Sequence, residues 1–246
     1  MPAAVEAIHV TKTYGSNRAL DDLTLIVDQG ECYGLVGLNG AGKTTLLRCL
    51  TGLASATSGD IRVLGLKLPA EADRVRSTAG VLIENPAFFP FLSGVENLRE
   101  LSLIGGHRLR RDAALALLAS AGLAGAAERR VGGYSSGMRQ RLGLAVALMH
   151  DPGLVILDEP TQALDPAGQA DVLRLVADVH SEGRTVLFSS HALDSVGAAT
   201  TRLAVIHDGR CLWTGKRDEL LAIDDAPDLR SAFLGLVGVG RSEVAC

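Results

Sequence analysis

Residues Tyr33 to Leu50, YGLVGLNGAGKTTLLRCL, decide how this chain folds. The stretch opens on an apolar run that reads as a buried strand and closes on a helical run. Between them Gly37 to Thr44, GLNGAGKT, fits G-x4-G-K-[ST] in the setting the pattern requires, after a strand and before a helix. Its glycines let backbone N–H groups turn inward around phosphate oxygens, and the following helix N-terminus adds a favourable field. In such a loop Lys43 reaches the β- and γ-phosphates, and Thr44 offers its hydroxyl to Mg²⁺. A glycine turn with a solvated lysine is the plainer alternative, and it needs neither flanking element.

Working outward, the pieces of an α/β core come into view. Leu154 to Glu159, LVILDE, and Thr185 to Ser190, TVLFSS, are apolar runs ending in polar groups, the mark of parallel strands buried on both faces. Asp171 to Val179 supplies a crossover helix between them. A strand of this kind delivers its terminal side chains to the edge of the sheet where ligands bind. Asp158 can therefore hold magnesium through water, Glu159 can orient and polarise an attacking water, and His191 can approach a γ-phosphate from the far side. Upstream, Ile8 to Lys12, Leu23 to Val27 and Ile61 to Leu64 read as short strands of a small antiparallel sheet. From about Pro86 to Met149 the chain is rich in Ala and Leu at helical spacing, which predicts a helical lobe inserted into the core. Asp208-Gly209 signals a hairpin, and beyond it the tail reads as short and irregular.

Composition narrows the function classes. With 246 residues, 47% hydrophobic and 21% charged, the chain can bury a large core. A net charge of −4 argues against duplex nucleic acid as a partner. Cys32, Cys49, Cys211 and Cys246 lie far apart with no ligand-like spacing, so neither a zinc site nor a disulfide framework is expected. The opening MPAAVEAIHV has neither a basic n-region nor an apolar core for export. Ala113 to Ala127, the longest uncharged helical stretch, is too short for a membrane span and reads as a buried helix. If a membrane is involved, another chain spans it.

A second anion-binding pattern stands at Tyr134 to Leu142, YSSGMRQRL, where small residues and a glycine run into a helical pattern. Taken together, these motifs resemble the ATPase subunits of ATP-binding cassette transporters, over roughly Val5 to Leu221. GLNGAGKTT is similar to the family's Walker A, which assigns Gly37, Leu38, Asn39, Gly40, Ala41, Gly42, Lys43, Thr44 and Thr45 to the nucleotide. LVILDEP is similar to Walker B, QALD to the D-loop, SSH to the histidine switch and YSSGMRQ to the signature motif. Tyr14, in TKTYGSNRAL, matches the aromatic position on which the family stacks adenine.

The resemblance implies a P-loop NTPase fold: a RecA-like core, about 1–85 and 150–215, with an N-terminal antiparallel β subdomain and an inserted α-helical subdomain, about 86–149. The ATPase domain would span 1–221 and a short C-terminal tail 222–246. It also implies ATP and Mg²⁺ as ligands, with Lys43, Glu159 and His191 catalytic, and a second ATPase chain, identical or not, packed head to tail. ATP on one chain's Walker A would then be covered by the other's signature. Ser135 and Gly137 would touch the γ-phosphate across that interface, Ser136 and Met138 would shape the loop, and Asp165 would link the two sites. Ser135 as a simple helix cap is the bland reading.

Two departures from the family pattern stand out. Ser136 and Met138 replace the usual first glycine and glutamine of the signature. Glu84, in GVLIENPAFFPFLSGVENL, stands where most members carry a glutamine that touches magnesium and water; a carboxylate there is the better hard-cation ligand. Glu84 with the IENPAFFP and YSSGM contexts is similar to the branch of bacitracin-resistance and lantibiotic-immunity exporters. In this family the neighbourhood of Phe88, Phe89 and Phe91 forms a groove for a short helix of the membrane subunit; core packing of the helical lobe is the alternative. The expectation is a cytoplasmic ATPase subunit, peripheral on the inner face of the membrane, powering a separate permease that exports a drug or antimicrobial peptide. An importer subunit, or a soluble ATPase of the same fold with no transport role, are the other readings.

Overall fold

The computed structural model describes residues 2–83, 87–162, 164–192, 196 and 199–238, with position 224 described by its backbone alone. Alternation builds the first sheet. Along β2 (Asn17–Asp28) Leu23, Leu25 and Val27 point inward while Thr24 and Ile26 point out, the period-2 pattern of a half-buried strand. It pairs with β1 (Ala3–Tyr14) across a two-residue turn led by Gly15 at φ 59°. With β4 (Ser58–Val63) and β5 (Leu66–Leu68) they form an antiparallel sheet in the order β2-β1-β4-β5. These strands run longer than the apolar segments predict, because hydrogen-bonded pairing continues through flanking polar residues.

Continuous burial builds the second. Every residue of β3 (Cys32–Val36), β7 (Leu154–Leu157) and β8 (Thr185–Ser190) is buried, as parallel strands covered on both faces must be. They lie in the order β10-β9-β3-β8-β7-β6. β6 (Ala79–Leu82) and β9 (Arg202–His207) also run parallel, and β10 (Arg210–Gly215) returns antiparallel. The β9–β10 turn is Asp208-Gly209, both at positive φ, 46° and 73°, which is the hairpin turn the dipeptide predicts. Flanking this sheet, α1 (Lys43–Leu50) follows β3, α2 (Ala72–Thr78) precedes β6 and α6 (Pro166–Ser181) links β7 to β8.

A separate apolar cluster joins α3 (Gly94–Ile104), α4 (Arg111–Ser120) and α5 (Ser136–Leu148) through Val95, Leu98, Leu118, Leu123 and Leu142. Buried Asn97 ties the lobe's entry loop: its Oδ1 accepts the Phe89 N–H, and its Nδ2 donates to the carbonyls of Phe89, Leu92 and Ser93.

Two expectations change. The stretch Ala113–Ala127 is not one helix: α4 ends at Ser120, Gly122 turns at φ 71°, and a single 3₁₀ turn follows at Ala124–Ala126. Nor is the C-terminal segment irregular. After α7 (Arg217–Leu221), α8 (Leu229–Val237) is capped by Asp228 and buries Leu229, Ala232 and Phe233 against the core that holds Phe188 and Leu203. β6 is a strand that no sequence pattern signals, since AGVL is four residues long and its character depends on pairing with β7. Among the described residues no helix is long and apolar enough to cross a membrane.

Candidate active site

The loop after β3 is squeezed between backbone segments, and that squeeze dictates its glycines. A Cβ on Gly37 would lie 2.3 Å from the Ile206 carbonyl oxygen of β9, and one on Gly42, at φ 107°, would lie 2.7 Å from the Ala19 carbonyl oxygen. Gly42 is also the N-cap of α1, so the helix dipole opens onto the loop. Lys43, almost wholly buried, folds back to donate to the carbonyls of Gly37 at 2.7 Å and Leu38 at 3.2 Å.

The ends of β7 and β8 bring the acidic groups to this loop. Thr44 Oγ1 donates to Asp158 Oδ2 at 2.7 Å, and Ser189 Oγ donates to Asp158 Oδ1 at 2.5 Å. Glu159 sits at φ 46°, a conformation uncommon for a side-chain-bearing residue, with its N–H donated to Ser189 Oγ at 2.9 Å. One of its carboxylate oxygens lies 3.4 Å from Lys43 Nζ; the other lies 2.8 Å from His191 Nδ1 and accepts the His191 N–H at 3.3 Å.

A cleft of about 930 Å³ opens over these groups. Asn39, Gly40, Ala41, Gly42, Lys43, Thr44 and Thr45 line it with Asp158 and Glu159, and Tyr14 lines it too, half exposed, with Lys12 Nζ 4.6 Å from its ring centroid. Gly37 and Leu38 contribute their carbonyls to Lys43 rather than lining the cleft, and His191 reaches the site through Glu159. Arg210 and Arg18, the latter on the cleft's rim, both hydrogen-bond Asp21, and those bonds hold its carboxyl below the ordinary carboxylate range.

The other predicted residues lie elsewhere. Ser135, Ser136, Gly137, Met138 and Asp165 line a second cleft of about 460 Å³ that shares no lining residue with the first. Ser135 caps α5 through the Met138 N–H, and Asp165 caps α6 through the Gly168 N–H. Glu84 falls outside the described residues. Phe88 packs into the helical lobe's cluster, whereas Phe91 is two-thirds exposed, its ring centroid 6.0 Å from that of Phe89.

Sequence reading gives no individual role to Ser189, Gln140 or Gln162, although they stand in the quoted SSH, YSSGMRQ and QALD motifs. Gln140, the last residue of the YSSGMRQ signature, lines the first cleft, and Gln162, the first of QALD, lines it from beyond β7. A hydroxyl inside the otherwise apolar run TVLF-S-S was the one available signal for Ser189. Nothing local marks which acceptor it meets.

Comparison with known proteins places this arrangement. A family model described as ABC transporter matches residues 20–162. The chain is 38% identical over 214 residues to the bacitracin transport ATP-binding protein BcrA of Bacillus licheniformis, covering 86% of this chain and 69% of that one. It is 36% identical over 233 residues to the Nod factor export ATP-binding protein I of Paraburkholderia xenovorans, covering 94% and 77%. Among solved structures it superposes on an ATP-binding subunit of an ABC transporter with TM-score 0.84 at 26% identity, covering 95% and 99%. A dimeric post-hydrolysis cassette bound to ADP and Pi matches with TM-score 0.78 at 28% identity, covering 86% and 98%. With a P-loop cleft of this geometry and these relatives, the chain belongs to the ABC transporter family, as an ATP-binding and ATP-hydrolysing subunit.

Proposed function

We propose that this chain is the cytoplasmic ATPase subunit of an exporter, driving a separate membrane permease that carries a drug or antimicrobial peptide. The observation that carries the reading is the bonded set of Lys43, Thr44, Asp158, Glu159 and His191 around one cleft, with Ser135 to Met138 of the signature facing another. Export is supported by relatives named for bacitracin transport and Nod factor export.

Tyr14 stacks adenine, the backbone N–H groups of Asn39 to Thr45 cradle the phosphates, and Lys43 exchanges its carbonyl acceptors for phosphate oxygens. Thr44 and Asp158 form an all-oxygen donor pair 2.7 Å apart, the hard chemistry that suits Mg²⁺; Glu84 is the further candidate ligand. When bound, the ion neutralises charge on the β- and γ-phosphate oxygens. Glu159 orients and polarises the water that attacks the γ-phosphorus as the bond to the ADP oxygen breaks, and His191 fixes the carboxylate's rotamer through its ring and its N–H. Placement and charge supply most of this catalysis.

The separate signature cleft supports a head-to-tail pair in which Ser135, Ser136, Gly137 and Met138 of one chain close the ATP site of the other, with Asp165 beside them. Closure works because ATP binds the paired state better than the open one. A mixing experiment tests this. Lys43→Ala and Gly137→Glu chains, each inactive alone, should regain hydrolysis on mixing, because one of the two composite sites is then whole. No recovery, with mixed dimers demonstrated, would refute it.

A further inference from the structure

The geometry points to Ser189 as a positioning residue for the Asp158–Glu159 pair. This deepens the ATPase reading and rests on it. Ser189 is wholly excluded from solvent, near the end of β8, and its hydroxyl is used in both directions: it donates to Asp158 Oδ1 at 2.5 Å and accepts the Glu159 N–H at 2.9 Å. A hydroxyl carries one proton and two lone pairs, so it can hold the carboxylate and the next residue's N–H at once.

Each contact has a separate consequence. Asp158 presents two oxygens: Oδ2 meets Thr44 Oγ1 at 2.7 Å, and Oδ1 is held by Ser189. Anchoring Oδ1 therefore sets the plane in which Oδ2 addresses Thr44 and, when present, the cation. Glu159 holds a left-handed backbone at φ 46°, a strained conformation for a residue with a side chain that persists only where surroundings enforce it. The Ser189 hydroxyl is the side-chain acceptor of its N–H. Without it the backbone can relax, and the carboxylate that spans Lys43 and His191 moves with it. Parallel pairing of Leu157 with Phe188 sets the register that brings Ser189 against both residues.

Four full-length variants test the assignment. Ser189→Ala removes the hydroxyl; Ser189→Thr and Ser189→Val have nearly equal volume and differ in possessing one. Glu159→Gln, run in parallel, reports whether hydrolysis passes through this site at all, so a failure of the ATPase reading is seen separately. Two quantities are measured: steady-state ATP turnover, and the magnesium concentration that half-saturates binding of a fluorescent ATP analogue, the latter in a Glu159→Gln background where turnover is suppressed. Expected for Ser189→Ala are a kcat about ten- to hundred-fold lower and a several-fold higher magnesium requirement, the range seen when the group behind a metal ligand is lost, with magnesium-free nucleotide binding as in the parent. Threonine should restore both and valine neither. A folded alanine variant with parental kcat and magnesium dependence would overturn the assignment. Should alanine fail to fold, the threonine–valine pair decides it, and equal behaviour of the two would overturn it as well.

Discussion

Lys43 and Glu159 face each other inside the P-loop cleft, Nζ 3.4 Å from Oε1, both largely withdrawn from solvent. A buried cation and anion at this distance neutralise each other. On the proposed function, ATP phosphates compete with Glu159 for Lys43 and free that carboxylate oxygen for water. Glu159→Gln should leave ATP binding intact and lower turnover on the order of a hundred- to ten-thousand-fold, the share attributed to a positioned general base. Sedimentation should then show an ATP-stabilised dimer; a monomer at saturating ATP and Mg²⁺ would contradict the closed-pair scheme.

Gly37 tolerates no side chain, because its Cβ would lie 2.3 Å from a main-chain oxygen of β9. Backbone cannot swing aside as a side chain can, so Gly37→Ala forces loop and sheet apart. A cost of about 1–3 kcal/mol is expected, a fall in Tm of roughly 2–4 °C per kcal/mol for a chain of this length. Calorimetry with and without ATP should show both the lower Tm and a weakened rise on adding nucleotide.

Asn97 satisfies one N–H and three carbonyls of the loop from Phe89 to Ser93. Replacing it with Ala takes the acceptor from the Phe89 N–H, at about 1–3 kcal/mol where water cannot reach that group, while the three carbonyls keep backbone donors from Leu92, Val131 and residue 97 itself. Hydrogen exchange should accelerate at the Phe89 amide, and proteolysis should concentrate in that loop. Unchanged protection there would show that other contacts hold it.

The phenylalanines of the same loop divide by burial. Phe88→Ser should lower stability, since Phe88 packs on the lobe cluster, whereas Phe91→Ser should leave Tm near the parent because its ring is two-thirds exposed. If Phe91 meets the permease, its variant keeps basal hydrolysis and loses transport-coupled stimulation in reconstituted vesicles. Full coupling in Phe91→Ser would remove it from that contact.

Thiol chemistry should be slow at the described cysteines. Burial pushes the Cys32 thiol up to about 12 and Cys211 to about 11, and raises Cys49 as well. A raised thiol pKa means less thiolate, the reactive form. Labelling of the native chain at pH 8, read by mass spectrometry residue by residue, should therefore spare Cys32, Cys49 and Cys211, and denaturant should expose all three.

Much of the cleft is legible in the sequence because its parts are local. Glycines that let a loop pass against backbone, a lysine and threonine at a helix start, and carboxylates ending an apolar strand follow from conformational freedom, helix field and burial within a few residues of each motif. The Asp208-Gly209 hairpin and the inward-outward alternation of β2 have the same origin. Where the reading failed, distant contacts were in charge: β6 depends on β7, and α8 forms where Leu229 and Phe233 find the core beside Phe188.

Sequence by itself determined the nucleotide loop, the two kinds of sheet and the existence of a second capped helix start at Ser135. Only the tertiary structure decided that Ser189 lies under Asp158, that Glu159 stands between Lys43 and His191, and that Gln140 at the end of the signature lines the phosphate-loop cleft while Ser135 to Met138 line another. Those facts rest on the order and register of parallel strands. Their pairing energy comes from burial across the whole sheet and leaves no trace in any short window of the chain.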